Sequence, residues 1–250
     1  MKNYLKMSKN WLLSFLLIGT ILTLSSFNSQ TPPKVLVFSK TAGFRHSSIE
    51  PGQVALLKMG QEHGFTIDTT EDASKFTEEN LKQYKAVIFL NTTGNVLNDE
   101  QQKSFEHYIQ SGGGYLGIHA ATDTEYSWPW YGKLAGAWFA GHPGPDNVQK
   151  GTFVVVDKNN PATNFLPERW EREDEFYSFK NISDDIHVLL KIDETTYRGG
   201  TNGDNHPMAW YHEFDGGRAF YTAGGHTDVS FSEPLFLRHL WAGLQYVMGK

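Results

Sequence analysis

The sequence predicts one α/β domain built on a mostly parallel sheet with helices on both faces. Three observations lead there. Apolar runs of strand length, Lys34 to Phe38, Ala86 to Leu90 and Tyr115 to Ile118, alternate with segments of helix length. After Lys34 these runs carry no charged residue, as suits strands buried on both faces. The chain has 250 residues, no cysteine, and no repeat or low-complexity tract after residue 34, so it can bury a sizeable core without disulfides.

In chain order, Lys34–Phe38 is the first expected strand. Ile49 to His63 is a helix, with Pro51 near its start and Gly64 just past its end. Phe65 to Thr69 is a second short strand, Thr77 to Tyr84 a helix and Ala86 to Leu90 a buried strand. Asn98 to Gln110 is a helix whose Asn98 cap is followed three residues later by Gln101. Tyr115 to Ile118 is the fourth strand. In the less regular second half, Thr152–Val156, Val188–Ile192, Met208–Tyr211 and Ala219–Tyr221 are strands between long polar loops, and a helix over Glu233 to Met248 closes the chain.

Residues 1–30 stand apart. Lys2, Lys6 and Lys9 precede the apolar stretch Trp11 to Leu24, and small polar residues then lead to Pro32 and Pro33, the layout of a secretory signal cleaved between Thr23 and Gln30. Ser14, Gly19 and Thr20 interrupt the stretch, which argues against a stable membrane span. The expected mature protein, residues 31–250, is exported, periplasmic or extracellular. Without the three lysines the formal charge falls from −6 to about −9. Such an acidic chain is a poor partner for nucleic acid, whereas a neutral, hydroxyl-rich small molecule such as a carbohydrate makes no demand on charge. A homo-oligomer is left open.

Ligands of an open parallel sheet bind beyond the carboxyl ends of its strands. Loops expected there carry Arg45 and His46, then His119, then His142, then Asp174, Glu175 and Tyr177, and finally His226. Histidine and carboxylate from separate loops suit a divalent metal of the zinc or manganese class, although no spaced metal motif is present. His119 follows Gly112-Gly113-Gly114-Tyr115-Leu116-Gly117-Ile118, a glycine turn, a short strand and a sharp bend that presents a side chain as a nucleophile elbow does. A helix cap is the plain alternative for His119, and more so for Thr122 and Asp123. Glu175, beside Phe176 and Tyr177, is expected to have a raised pKa and act as a base; solvated surface is its alternative. Arg45 is a substrate clamp or a surface ion pair. Trp128, Trp130, Tyr131, Trp138 and Phe139 supply faces for a sugar ring or fill the core.

Taken together, Thr41-Ala42-Gly43-Phe44-Arg45-His46, Gly112 to Thr122, Gly141-His142-Pro143, Asp174-Glu175-Phe176-Tyr177, Pro207 to Trp210 and Gly217 to Tyr221 with Gly224-Gly225-His226-Thr227 resemble the trehalose-utilisation, or ThuA-like, family. The resemblance implies a doubly wound, flavodoxin-like fold of the class I glutamine amidotransferase type. The amidotransferase elbow, Gly-x-Cys-x-Gly, reads Gly117-Ile118-His119-Ala120-Ala121 here, so inherited glutamine hydrolysis is excluded; His226 falls near the position of the triad histidine. For function the resemblance implies disaccharide catabolism through 3-keto-glycosides, with a divalent metal in some members. On that basis His46, His119 and His226 are the expected metal or proton-relay residues. His119, Glu175 and His226 form the catalytic set, and Arg45, His142, Trp138 and Tyr177 bind substrate. A metal-dependent hydrolase of ordinary carbohydrates and a non-catalytic sugar-binding protein are the competing expectations.

Overall fold

The structure, a computed structural model, describes residues 32–250, so the expected leader lies outside the described residues. The first half follows the expected order: β1 (Lys34–Phe38), α1 (Ile49–His63), β2 (Thr66–Thr70), α2 (Glu78–Leu81), β3 (Ala86–Leu90), α3 (Asp99–Gln110) and β4 (Gly114–Ile118). Gly64 ends α1 in the left-handed conformation at φ 72°. At the start of α3, Gln101 N–H donates to Asn98 Oδ1 and Asn98 N–H donates to Gln101 Oε1, both at 2.9 Å, which closes the expected capping box. The helix expected over Thr77 to Tyr84 is only the single turn α2, because the chain must already enter β3 at Ala86.

The second half comprises α4 (Pro129–Ala135), β5 (Trp138–Gly141), β6 (Val148–Val155), β7 (Arg169–Glu175), β8 (Ser178–Lys180), β9 (His187–Asp193), β10 (Pro207–Phe214), β11 (Gly217–Thr222) and α5 (Pro234–Val247). Nine strands form one sheet in the order β2-β1-β3-β4-β11-β10-β9-β6-β7, while β5 and β8 pair separately. From β2 to β11 neighbours are parallel; from β11 to β7 they are antiparallel. The parallel half is thus a doubly wound body onto which the irregular half adds an antiparallel wing. Among the described residues no helix is long and apolar enough to cross a membrane.

β3 and β4 are buried at every residue, as strands between two helical layers must be. Phe38, Phe76, Phe89 and Phe105 pack ring against ring under α3, with centroids 4.5 to 5.9 Å apart. At Gly114 a Cβ would lie 2.2 Å from the Val247 carbonyl oxygen, so the glycine turn lets β4 begin against the end of α5. Strand β7 was not expected as a strand. Its residues are charged except for Trp170, a composition tolerable because β7 is an edge strand paired only with β6.

Candidate metal and proton-transfer site

Beyond the carboxyl ends of β1, β4 and β11, and at the end of β7, four side chains converge. His46, His119, Glu175 and His226 each offer a ligand atom, and these atoms all lie within 4.8 Å of one another. His119 is the elbow tip. Its backbone sits at φ 47°, a conformation rare for a side chain of this size, and Tyr221 Oη donates to its carbonyl oxygen at 2.7 Å. The bend then makes a single 3-10 turn, His119–Thr122, rather than the helix that a capping histidine would need.

The imidazole of His119 has its tautomer set by its neighbours. Nδ1 lies 2.8 Å from the Ala223 carbonyl oxygen, which can only accept, so Nδ1 carries the proton. In the neutral ring Nε2 is then a bare lone pair, 3.2 Å from both Glu175 Oε2 and His226 Nδ1. His226 Nδ1 is 2.9 Å from the same Oε2. The rings of His46, His119 and His226 stand edge to face, 5.0 to 5.1 Å apart, three imidazoles facing one point.

The donor set fits a divalent cation. His46 Nδ1 is buried with no hydrogen-bond partner among the described residues, a loss of about 1–3 kcal/mol unless another group completes it. Burial, reinforced by His119 and His226, pushes the His46 pKa down to about 3, so the ring is neutral and able to ligate. Glu175 shows the reverse of the expected shift. Burial does act to raise its pKa, but the His119 and His226 imidazoles beside Oε2, each a hydrogen-bonding cation whenever its ring is doubly protonated, outweigh that and hold the carboxyl below its ordinary range. It is an ionised acceptor rather than a base poised near neutrality. For His226, burial acts downward, and the hydrogen bond and charge of Glu175 reverse it to a raised pKa.

Asp174, the neighbour of Glu175, fixes the loop that carries His226. Its buried carboxylate accepts from the main-chain N–H groups of Gly225 and His226 at 2.9 and 3.0 Å, and Arg172 Nη2 pairs with it at 3.1 Å. Arg172 is itself held over Trp170 and Phe236, 4.6 Å from each ring centroid. On the opposite side, Asn91 Nδ2 donates to Ser48 Oγ and to the Gly225 carbonyl, joining the ends of β1, β3 and β11.

His46, Glu175 and His226 form one wall of a cleft of about 300 Å³, with His119 buried behind them, and its other walls include Phe44, Asp123, Phe139, His142, Asn147 and Tyr177. Tyr177 lies against His119 with ring centroids 4.2 Å apart, and Phe139 lies equally close to Tyr177. His142 stands at the rim, its Nδ1 2.9 Å from the Pro143 carbonyl and 3.6 Å from Glu175 Oε1. Two expected substrate contacts are elsewhere. Arg45 pairs at the surface with Glu50 and Glu71, at 2.6 and 2.9 Å, and does not reach the cleft. Trp138 alternates with Phe139 along β5, so its indole turns away from the cleft and packs on Gly132.

Asn147 and Asp123 complete the site. Asn147 Nδ2 donates to Glu175 Oε1 at 2.5 Å, from a loop whose sequence, Gly144-Pro145-Asp146-Asn147, carries only turn signals. Asp123 is no helix cap; its carboxylate faces the cleft and accepts from Tyr126 Oη at 2.6 Å.

Residues 34–247 match the family model described as ThuA, trehalose utilisation. The chain belongs to that family. A ThuA-like protein from Bacteroides uniformis ATCC 8492 is 26% identical, with a TM-score of 0.73 over 88% of this chain and 94% of that one. Another ThuA-like protein, from Parabacteroides merdae ATCC 43184, shares the fold at 20% identity, with a TM-score of 0.72 over 87% of this chain and 90% of that one. The fold also recurs within a beta-galactosidase from Bacillus circulans sp. alkalophilus, at 14% identity and a TM-score of 0.57, over 88% of this chain and 32% of that one. No curated protein matches the sequence. Within this ThuA chain the mostly parallel sheet and its flanking helices are of the flavodoxin-like, glutamine amidotransferase-like type.

Proposed function

We propose that this protein acts outside the cytoplasm on a 3-keto-glycoside, removing the proton next to the ketone and releasing the glycosidic oxygen by elimination or hydrolysis. The observation that carries the reading is the three-histidine, one-carboxylate set at one end of an aromatic-walled cleft. His46, His119 and His226 would hold a cation of the zinc or manganese class, with Glu175 as the fourth donor. Bound there, such a cation supplies Lewis acidity toward a carbonyl oxygen and so acidifies the adjacent C–H.

The chain's own residues supply the remaining requirements. Ala223 and Asn147 orient His119 and Glu175 from behind, as outer partners of ligands commonly do. Phe44, Phe139 and Tyr177 offer apolar faces to the C–H side of a sugar ring, and His142 at the rim offers a hydrogen bond to a hydroxyl. Thioester chemistry on glutamine is unavailable to a chain without cysteine. The test is incubation of metal-reconstituted and chelator-treated protein with a 3-keto-disaccharide. Sugar or enone release by the metal form alone is expected; release of neither product at any metal supplement would sink the reading.

A further inference from the structure

The cleft holds a second carboxyl that the four-residue cluster does not use. Asp123 leaves the 3-10 turn four residues after His119 and lines the same space as Glu175 and His226. Its backbone is fixed at both ends. Its N–H donates to the Ala120 carbonyl, its carbonyl accepts from Gly94 N–H, each at 2.8 Å, and the adjoining Thr124 bridges to Gly94 as an isolated β pair. Its side chain is held at one oxygen only. Tyr126 Oη donates to Oδ1 at 2.6 Å, and no protein donor among the described residues meets Oδ2.

No hydrogen bond within the described residues claims Oδ2, which leaves it open to whatever occupies the cleft. Asp123 caps no helix and makes no ion pair among the described residues. Burial raises its pKa, against the opposing pull of the Tyr126 hydrogen bond.

We propose that Asp123 is a catalytic residue of this cleft, the carboxylate that takes the proton from the carbon beside the substrate ketone. The proposal rests on the reading of the substrate as a 3-keto-glycoside. In the step, the C2–H bond breaks and its proton passes to Asp123 Oδ2. The electron pair forms the C1=C2 double bond as the C1–O bond breaks, and the departing oxygen keeps that bond's pair and takes the proton back from Asp123. The sum is an enone and a free alcohol, with the carboxylate regenerated and no oxidant consumed. Tyr126 is a positioning residue here, holding Oδ1 so that the other oxygen is free for substrate.

The test separates proton removal from bond cleavage. The probe is the 3-keto derivative of 1,5-anhydroglucitol, which has the ketone and the C2 proton but no leaving group, incubated in deuterium oxide and followed by proton NMR. Wild-type protein is expected to exchange the C2 proton. Asp123→Asn is expected to slow exchange by about 100-fold or more while binding metal as the wild type does, and Asp123→Glu to recover part of the rate. Exchange by Asp123→Asn within about threefold of wild type overturns the role of Asp123 and leaves the substrate reading standing. Equal loss in Asp123→Asn and Asp123→Glu also overturns it, since side-chain shape rather than a carboxyl would then matter. A wild-type protein that neither exchanges this probe nor cleaves a 3-keto-disaccharide overturns both.

Discussion

Asp174 Oδ1 accepts the main-chain N–H of His226 at 3.0 Å, so the residue before one donor of the cluster sets the position of another. Asp174 is also the partner of the buried Arg172 guanidinium. Asp174→Ala would leave that cation to Glu233 alone and two loop amides unsatisfied, and a loss of about 1–3 kcal/mol for each amide is expected in urea unfolding. Metal per chain should fall with it, because the 224–227 loop loses its anchor.

The cluster itself is tested by composition. Metal measured by plasma mass spectrometry on reconstituted protein should be near stoichiometric in the wild type and lost in His119→Ala and His226→Ala. His142→Ala should keep its metal, because that ring is turned to the Pro143 carbonyl. Loss in His142→Ala alone would redraw the site.

Asn147→Ala removes the hydrogen bond to Glu175 Oε1 without touching a donor atom. An outer partner of this kind is worth about 10- to 100-fold in metal affinity. Competition against a chelator of known affinity measures the change, and an unaltered constant would make the Asn147 contact incidental.

Stability should depend on pH through His239, which lies outside the cluster. Its Nδ1 donates to the Ala162 carbonyl at 2.8 Å while Nε2 is buried without a partner among the described residues, and burial lowers its pKa to about 4. The folded value lies below the unfolded one, about 6.5, so the unfolded chain binds more protons between them. The contribution is complete above about pH 6.5 and is lost as pH falls toward 4, with a slope of up to about 1.4 kcal/mol per pH unit. His239→Asn, which retains a donor near Nδ1 and cannot titrate, should flatten urea stability over that window by this amount.

Arg45→Ala should change little. Its two ion pairs are solvent-exposed, so a loss below about 1 kcal/mol and unchanged metal content are expected. A large fall in turnover would return Arg45 to the substrate site.

Much of the fold could be read in the order of residues, because its signals are local. Apolar runs produced β1, β3 and β4 within a residue, and the Asn98/Gln101 pair and Gly64 marked helix ends through contacts only a few residues long. Loop positions after strands pointed to His46, His119, Glu175 and His226, but equally to Arg45, His142 and Asp174. By contrast β7 was invisible, since an edge strand of charged residues has no apolar period, and its buried Arg172 depends on Trp170, Phe236 and Asp174 meeting in space.

The sequence by itself determined the parallel α/β body, the absence of a thiol nucleophile and a set of loop residues that includes the four clustered side chains. Only the tertiary structure decided that those four share one point, that Glu175 is lowered rather than raised, that Arg45 and Trp138 face elsewhere, and that Asp123 opens on the cleft. The reason is range: propensity and capping act over a few residues. A pKa or a donor set instead depends on groups such as His119, Glu175 and His226, which are 51 to 107 positions apart in the chain and adjacent only after folding.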